Sequence, residues 1–133
     1  MILDIKNLHT LNFAISAIKI SHMHFIKKTY EVNNRLTSGF CYILSGNFVL
    51  DNGEKQVDVG PNSIIYLPKG GSHQTIVTSE CLDFFKINFE LHVNGEFALF
   101  SKSPYLVTEN APPKYSEKIN IESLAPAVSG ELE

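Results

Sequence analysis

A chain of 133 residues has the length of one domain and can bury a single substantial core. Its make-up, 44% hydrophobic and 19% charged, is globular and excludes an intrinsically disordered protein. A net charge of −3 gives it no electrostatic means of holding nucleic acid by itself, and no apolar run approaches the roughly 18 residues that span a bilayer.

The opening residues, "MILDIKNLHT", carry no basic stretch followed by a long apolar one, so no secretory signal is read and a cytoplasmic protein is expected. Cys41 and Cys81 each sit in an apolar, strand-like setting and read as buried free thiols, with a disulfide as the alternative.

In chain order, "LNFAISAIKI" (11–20) is the first predicted strand, with Phe13, Ile15 and Ala17 alternating against Ala14, Ser16 and Ile18. "SHMHF" then places His22 and His24 on one strand face, as i and i+2. "FCYILSGNFVL" (40–50) is the next strand. Asn52-Gly53 can both take positive φ and predict a two-residue hairpin turn of the primed type, after which "KQVDV" (55–59) alternates as a half-exposed strand does.

"GPN" (60–62) turns the chain, and "SIIYL" (63–67) is continuously apolar, as in a strand buried on both sides. Beyond the Pro-Lys-Gly-Gly loop, "HQTIVTS" (73–79) and "LDFFKINFEL" (82–91) are two more strands, followed by another turn at Asn94-Gly95. Lys86 and Asn88 share one face of the latter strand, opposite Phe85, Ile87 and Phe89; that face is expected to meet solvent, with a wide cavity lined by the polar set as the alternative. His9 and His92 read as surface residues. Many short strands separated by turns predict an antiparallel sandwich or barrel. The last stretch, with Pro112, Pro113 and Pro126 and few large apolar residues, reads as an extended, poorly structured or short-helical tail.

Gly60, Pro68, Gly70 and His73 stand in the order Gly, apolar strand, Pro-x-Gly-x-x-His. This resembles the second motif of the cupin superfamily, and "FCYILSGNFVL", closing at Gly46, resembles the end of the first. Proline ends a strand because it cannot donate to the ladder, and glycine lets the backbone turn sharply at a barrel mouth. In metal cupins the histidine is a ligand, joined by a His-x-His and by a glutamate seven residues before the closing glycine. Here those positions read "VNNR" (32–35) and Gly39. A transition-metal site needs three or more protein donors, so no metal and no cofactor is expected. His22 and His24 joining His73 across the barrel is the alternative to their lying on a solvent-facing edge.

"RLTSGFCYILSG", "IIYLPKGGSHQ" and "CLDFFKINFEL" together resemble the N-terminal effector-binding and dimerisation domain of AraC-type transcription regulators. The resemblance implies an all-β, cupin-type double-stranded β-helix (a jelly-roll barrel) over residues 1–110. Residues 111–133 would be a tail or linker toward a DNA-binding domain that this chain does not contain. It further implies a metal-free cavity for a small effector, often a sugar or other polar metabolite, and a homodimer, with DNA held only through the missing domain and no membrane partner.

By position, Arg35 matches the effector-contacting arginine and His73 the barrel-facing histidine. Gly39, Cys41 and Ile43 should face inward, with Tyr66 or Leu67 joining them, so the expected effector-binding residues are Arg35, Cys41, Ile43, Tyr66 and His73. Bland alternatives stand beside these: Arg35 on the surface, paired with Glu31, and Tyr42 and Tyr66 as core or rim aromatics. AraC-type regulators carry helix-turn-helix units after the barrel, whereas this sequence stops at Glu133, so it reads as either a fragment or a freestanding barrel. The second function considered is a freestanding small cupin enzyme, an isomerase or metal-dependent oxygenase.

Overall fold

The computed structural model describes residues 2–3, 12–109 and 128–129. Period-two alternation and β-branched or aromatic residues give a chain of strands: β1 (Phe13–Ile26), β2 (Thr29–Val32), β3 (Ser38–Ser45), β4 (Phe48–Asp51), β5 (Gln56–Val59) and β6 (Ile64–Leu67). They continue as β7 (His73–Val77), β8 (Cys81–Val93), β9 (Glu96–Phe97), β10 (Tyr105–Thr108) and β11 (Val128–Ser129). No helix occurs among the described residues.

The strands form two sheets. The larger runs β10-β6-β3-β8-β1-β11 with β9 paired to β8, and the smaller runs β2-β7-β4-β5. Apart from the parallel β1–β11 pair the ladders are antiparallel. The sheets pack face to face without a ladder closing them into one barrel, which is the two-sheet form of the expected cupin-type jelly roll.

Both sheets supply the core between them, with Met23, Phe25, Cys41 and Phe84 from the larger and Phe48 and Leu50 from the smaller. The larger sheet also buries its reverse face, where Leu3, Tyr66, Phe89, Leu91, Val93 and Ala98 form a second cluster. A sheet covered on both sides needs apolar residues at successive positions. That is why Ile65, Tyr66 and Leu67 are all buried, as the run 63–67 predicts.

Three local features position these layers. The Asn94-Gly95 turn has φ of 53° and 83° and joins the paired residues Val93 and Glu96, the two-residue primed hairpin expected of Asn-Gly. The Asn52-Gly53 turn differs, because the last pair is Asp51 with Gln56 and four residues lie between. Asn52 Oδ1 accepts from the backbone N–H groups of Glu54 and Lys55, and Asp51 Oδ1 from that of Gly53, so side-chain acceptors close a longer loop. Gly46, with φ of 95°, lies against Cys81, and a β-carbon there would collide with the Cys81 carbonyl oxygen.

The alternation predicted through 11–20 breaks in the middle of β1. Register shifts between Ser16 and Lys19, and Ala17 takes a φ of 52°, as at a bulge. The predicted tail, 111–133, lies outside the described residues except for Val128–Ser129, whose backbone pairs with Met23 and His24. No helix in the described residues is long and apolar enough to cross a membrane.

Candidate functional site: a cation-lined cavity between the sheets

The Pro-Lys-Gly-Gly loop after β6 holds the segment between β2 and β3. Gly71 N donates to Pro68 O at 3.0 Å, a tight turn whose third residue, Gly70, has φ of 80°. Two backbone bonds then bind Arg35 to this loop: Gly70 N to Arg35 O at 2.8 Å and Arg35 N to Gly71 O at 3.0 Å. Next to them, Asn34 N donates to Ser72 Oγ at 3.1 Å. One short motif thus sets the backbone of Arg35 and leads directly into His73, the first residue of β7.

The Arg35 side chain runs inward and is only 2% exposed. Its Nη2 donates to Asn88 Oδ1 at 2.7 Å and its Nε to the Thr37 carbonyl at 3.1 Å. Gly39 makes room for this arrangement, since a β-carbon there would stand 2.8 Å from Arg35 Nη2 and 3.0 Å from Asn88 Oδ1. The position that carries a glutamate in metal cupins is therefore bare, and a guanidinium fills the space.

Inward-facing side chains of β2, β3, β6, β7 and β8, with Phe25 of β1 and Phe48 of β4, enclose a cavity of about 40 Å³, room for roughly three water molecules. Its wall is mostly aliphatic and aromatic, with Arg35, His73, Thr75 and Lys86 as polar members. Among the described residues no Asp or Glu lines it. Burial, and then the positive charges of Arg35 and Lys86, push the His73 pKa down to about 4. The imidazole is therefore neutral at physiological pH, and its Nδ1 is buried without a hydrogen-bond partner. Burial raises the Cys41 pKa to about 11 in spite of the same two cations, which keeps the thiol protonated and a poor nucleophile.

Four of the five predicted site residues, Arg35, Cys41, Ile43 and His73, meet on this cavity, together with Leu67. Tyr66 does not. Its neighbours Ile65 and Leu67 face inward, so strand alternation turns it to the reverse face, against Phe40, Phe100 and Tyr105. There its hydroxyl accepts from Phe100 N at 3.2 Å. Glu31 bonds to Asn33 Nδ2 at 3.3 Å, and the Arg35 guanidinium turns instead to Asn88. Lys86 was expected to face solvent, but it is 4% exposed and lines the cavity.

His22 and His24 lie on the reverse face of the larger sheet, 3.5 and 3.0 Å from Asp83 Oδ1, and cannot join His73. Cys41 and Cys81 are both free, and Cys81 is exposed rather than buried. No group of three or more His, Cys, Asp or Glu side chains among the described residues is arranged to hold a metal ion.

A two-sheet jelly roll with a cavity of mixed apolar and cationic lining between its sheets has the cupin-like fold. The particular family follows from the sequence: the model described as the AraC-like ligand binding domain matches residues 21–112, and the chain belongs to that family.

Among solved structures, the plu4264 protein of Photorhabdus luminescens superposes with a TM-score of 0.50 at 12% identity, over 65% of this chain and 82% of that one. The EutQ protein of Clostridium difficile gives 0.49 at 17% identity, over 54% of this chain and 56% of that one. ToxT of Vibrio cholerae, solved with an unsaturated fatty acid bound, gives 0.49 at 15% identity, over 55% of this chain and 29% of that one. The match thus spans little more than half of EutQ and under a third of ToxT. No curated protein is significantly similar in sequence.

Proposed function

We propose that this chain is the effector-sensing domain of an AraC-type transcription regulator in the cytoplasm. A small molecule enters the cavity between the sheets, and the free-energy difference between its binding in two arrangements of the protein biases a DNA-binding domain elsewhere in the regulator. The observation that carries this reading is the cavity, in which buried Arg35, His73, Thr75 and Lys86 meet on a mostly apolar wall. Family membership supports it. Two copies pair in the working regulator, and the outer face of β1 supports that, with Ile15 and Ile18 exposed by 58% and 61%.

A thermal-shift screen of a metabolite library tests the reading, with each hit repeated on Arg35→Ala. A compound that stabilises the wild type with saturable dependence, and not the variant, is the expected result. Tight stoichiometric uptake of a transition metal, with turnover of a cupin substrate, would replace this reading with that of an enzyme. Analytical ultracentrifugation at micromolar concentration checks the dimer, and a monomer throughout would remove it.

A further inference from the structure

We infer that the effector is a neutral molecule in two parts: a hydrocarbon end of about three carbons in the cavity, and a hydroxyl-bearing head in a second, polar pocket outside it. His73 stands on the wall that the two spaces share. This deepens the sensing reading and rests on it.

The cavity alone is too small for a metabolite of ordinary size. Its volume of about 40 Å³ holds roughly three waters, and so a hydrocarbon group of about three carbons. Phe25, Ile43, Leu67, Leu82 and Phe84 offer that group nothing but hydrocarbon. Whatever else the molecule carries has to lie outside.

Strand register shows where. Val32 and His73 form the last rung of the β2–β7 ladder, and both line the cavity. Asn33 and Ser72, the residues next to that rung, open onto a second pocket of about 300 Å³, walled also by Glu31, Asp51 and Gln74. Glu31 pairs with Gln74 and Gln74 with Asp51, so these three side chains stand side by side on the outer face of the smaller sheet. His73 borders both spaces.

The second pocket is built of hydrogen-bonding groups with capacity left. Glu31 accepts one N–H from Asn33, and Asp51 accepts one from Gly53 and one from Gln56, whereas a carboxylate has about four acceptor positions. Ser72 Oγ accepts from Asn34 N and keeps its own O–H to donate. At the boundary, Nδ1 of His73 is buried with no partner in the protein, a deficit that a ligand group passing the ring would make good. A hydroxyl donates and accepts at once, so it serves the carboxylates, the Gln74 amide and the neutral imidazole alike. An ionic head fares worse. Glu31 and Asp51 oppose an anion, and the charges of Arg35 and Lys86 that depress the His73 pKa oppose a cation at that ring.

Backbone-amide shifts of nitrogen-15-labelled protein, titrated at pH 7.5 with propyl glucoside, glucose, propan-1-ol and propylamine, test this. The glucoside is expected to bind saturably and to move the amides of both Gln74 and Cys41. Glucose should move only the outer set and propanol only the inner. Each should bind at least about tenfold more weakly than the glucoside, because a joined molecule presents its second end at high effective concentration. Glu31→Ala, an exposed substitution, should weaken the glucoside about tenfold, the worth of one hydrogen bond to a charged group, and leave propanol unaltered.

A glucoside that binds no tighter than either of its halves would overturn the inference, and so would shifts confined to one side of His73. The comparison of ligands on the wild type decides this without the variant. Unchanged glucoside affinity in Glu31→Ala would take the head out of the outer pocket, and tighter binding of propylamine than of the glucoside would overturn its neutrality. Silence from all four compounds would overturn the ligand class, with the library screen then deciding the sensing function separately.

Discussion

Arg35 Nη2 and Asn88 Oδ1 meet at 2.7 Å directly over the bare Cα of Gly39. The three residues come from the loop after β2, from β8 and from β3, so one hydrogen bond ties a cavity-lining side chain to the middle of the larger sheet. Gly39→Ala should part the pair, since the added carbon would press on both polar atoms at 2.8 and 3.0 Å. A loss of about 1.5–3 kcal/mol is expected, the range for a hydrogen bond to a charged group. Urea unfolding with an unchanged m-value measures it, and equal stability would mean that the guanidinium moves aside freely.

Arg35→Ala removes a cavity-facing cation whose backbone is fixed independently by Gly70 and Gly71. The local fold should therefore survive while affinity for the effector drops by tenfold or more, about the worth of a charged hydrogen bond. Calorimetry on a hit from the library screen reads the affinity. An unaltered Kd would take Arg35 out of the binding site.

Protonation of His73 couples stability to pH. The folded pKa of about 4 lies below the ordinary histidine value of 6.5. Between those values the unfolded chain binds a proton at this site and the folded protein does not. The contribution is thus complete above pH 6.5, falls as pH falls, and is lost by about pH 4, a span of about 3 kcal/mol. Chemical denaturation of the wild type and of His73→Gln at pH 7.5 and 4 isolates it, because the other titrating groups are common to both. The wild type should lose about 3 kcal/mol more than the variant; equal losses would mean that the imidazole titrates normally.

Tyr66→Phe tests the face assignment. The hydroxyl bonds to Phe100 N on the reverse side of the sheet, so its removal should cost about 1 kcal/mol of stability and leave effector affinity unchanged. A change in Kd with stability held would return Tyr66 to the cavity.

The placement of Tyr66 also shows where the sequence stops being informative. In "SIIYL" every residue is apolar, and a strand packed on both faces gives no polarity by which to tell one side from the other. Cys41 and Ile43 were legible as inward residues because they are in register with the motif position at Gly39, and His73 because Pro68 and Gly70 punctuate the chain before it. Lys86 and Asn88 were read toward solvent for a related reason, and both are buried. Polar residues alternating with phenylalanine usually mark the wet face of a strand, but here the reverse face packs into a cluster with Leu3 and Phe100, while Lys86 lines the cavity and Asn88 bonds Arg35. The Asn52 loop escaped because its length is set by side-chain acceptors and not by backbone preference.

The two thiols stand in opposite surroundings: Cys81 is open to water at the start of β8, and Cys41 is sealed in the cavity wall with its pKa at about 11. An alkylating reagent consumes the first at once and reaches the second only during the moments when the sheets part. The slow phase of labelling is then a clock for those openings, built from the protein's own residues. Any occupant of the cavity slows that clock by 1 + [L]/Kd, so a mass spectrometer could find the effector in a mixture without a reporter, an added dye or a DNA target.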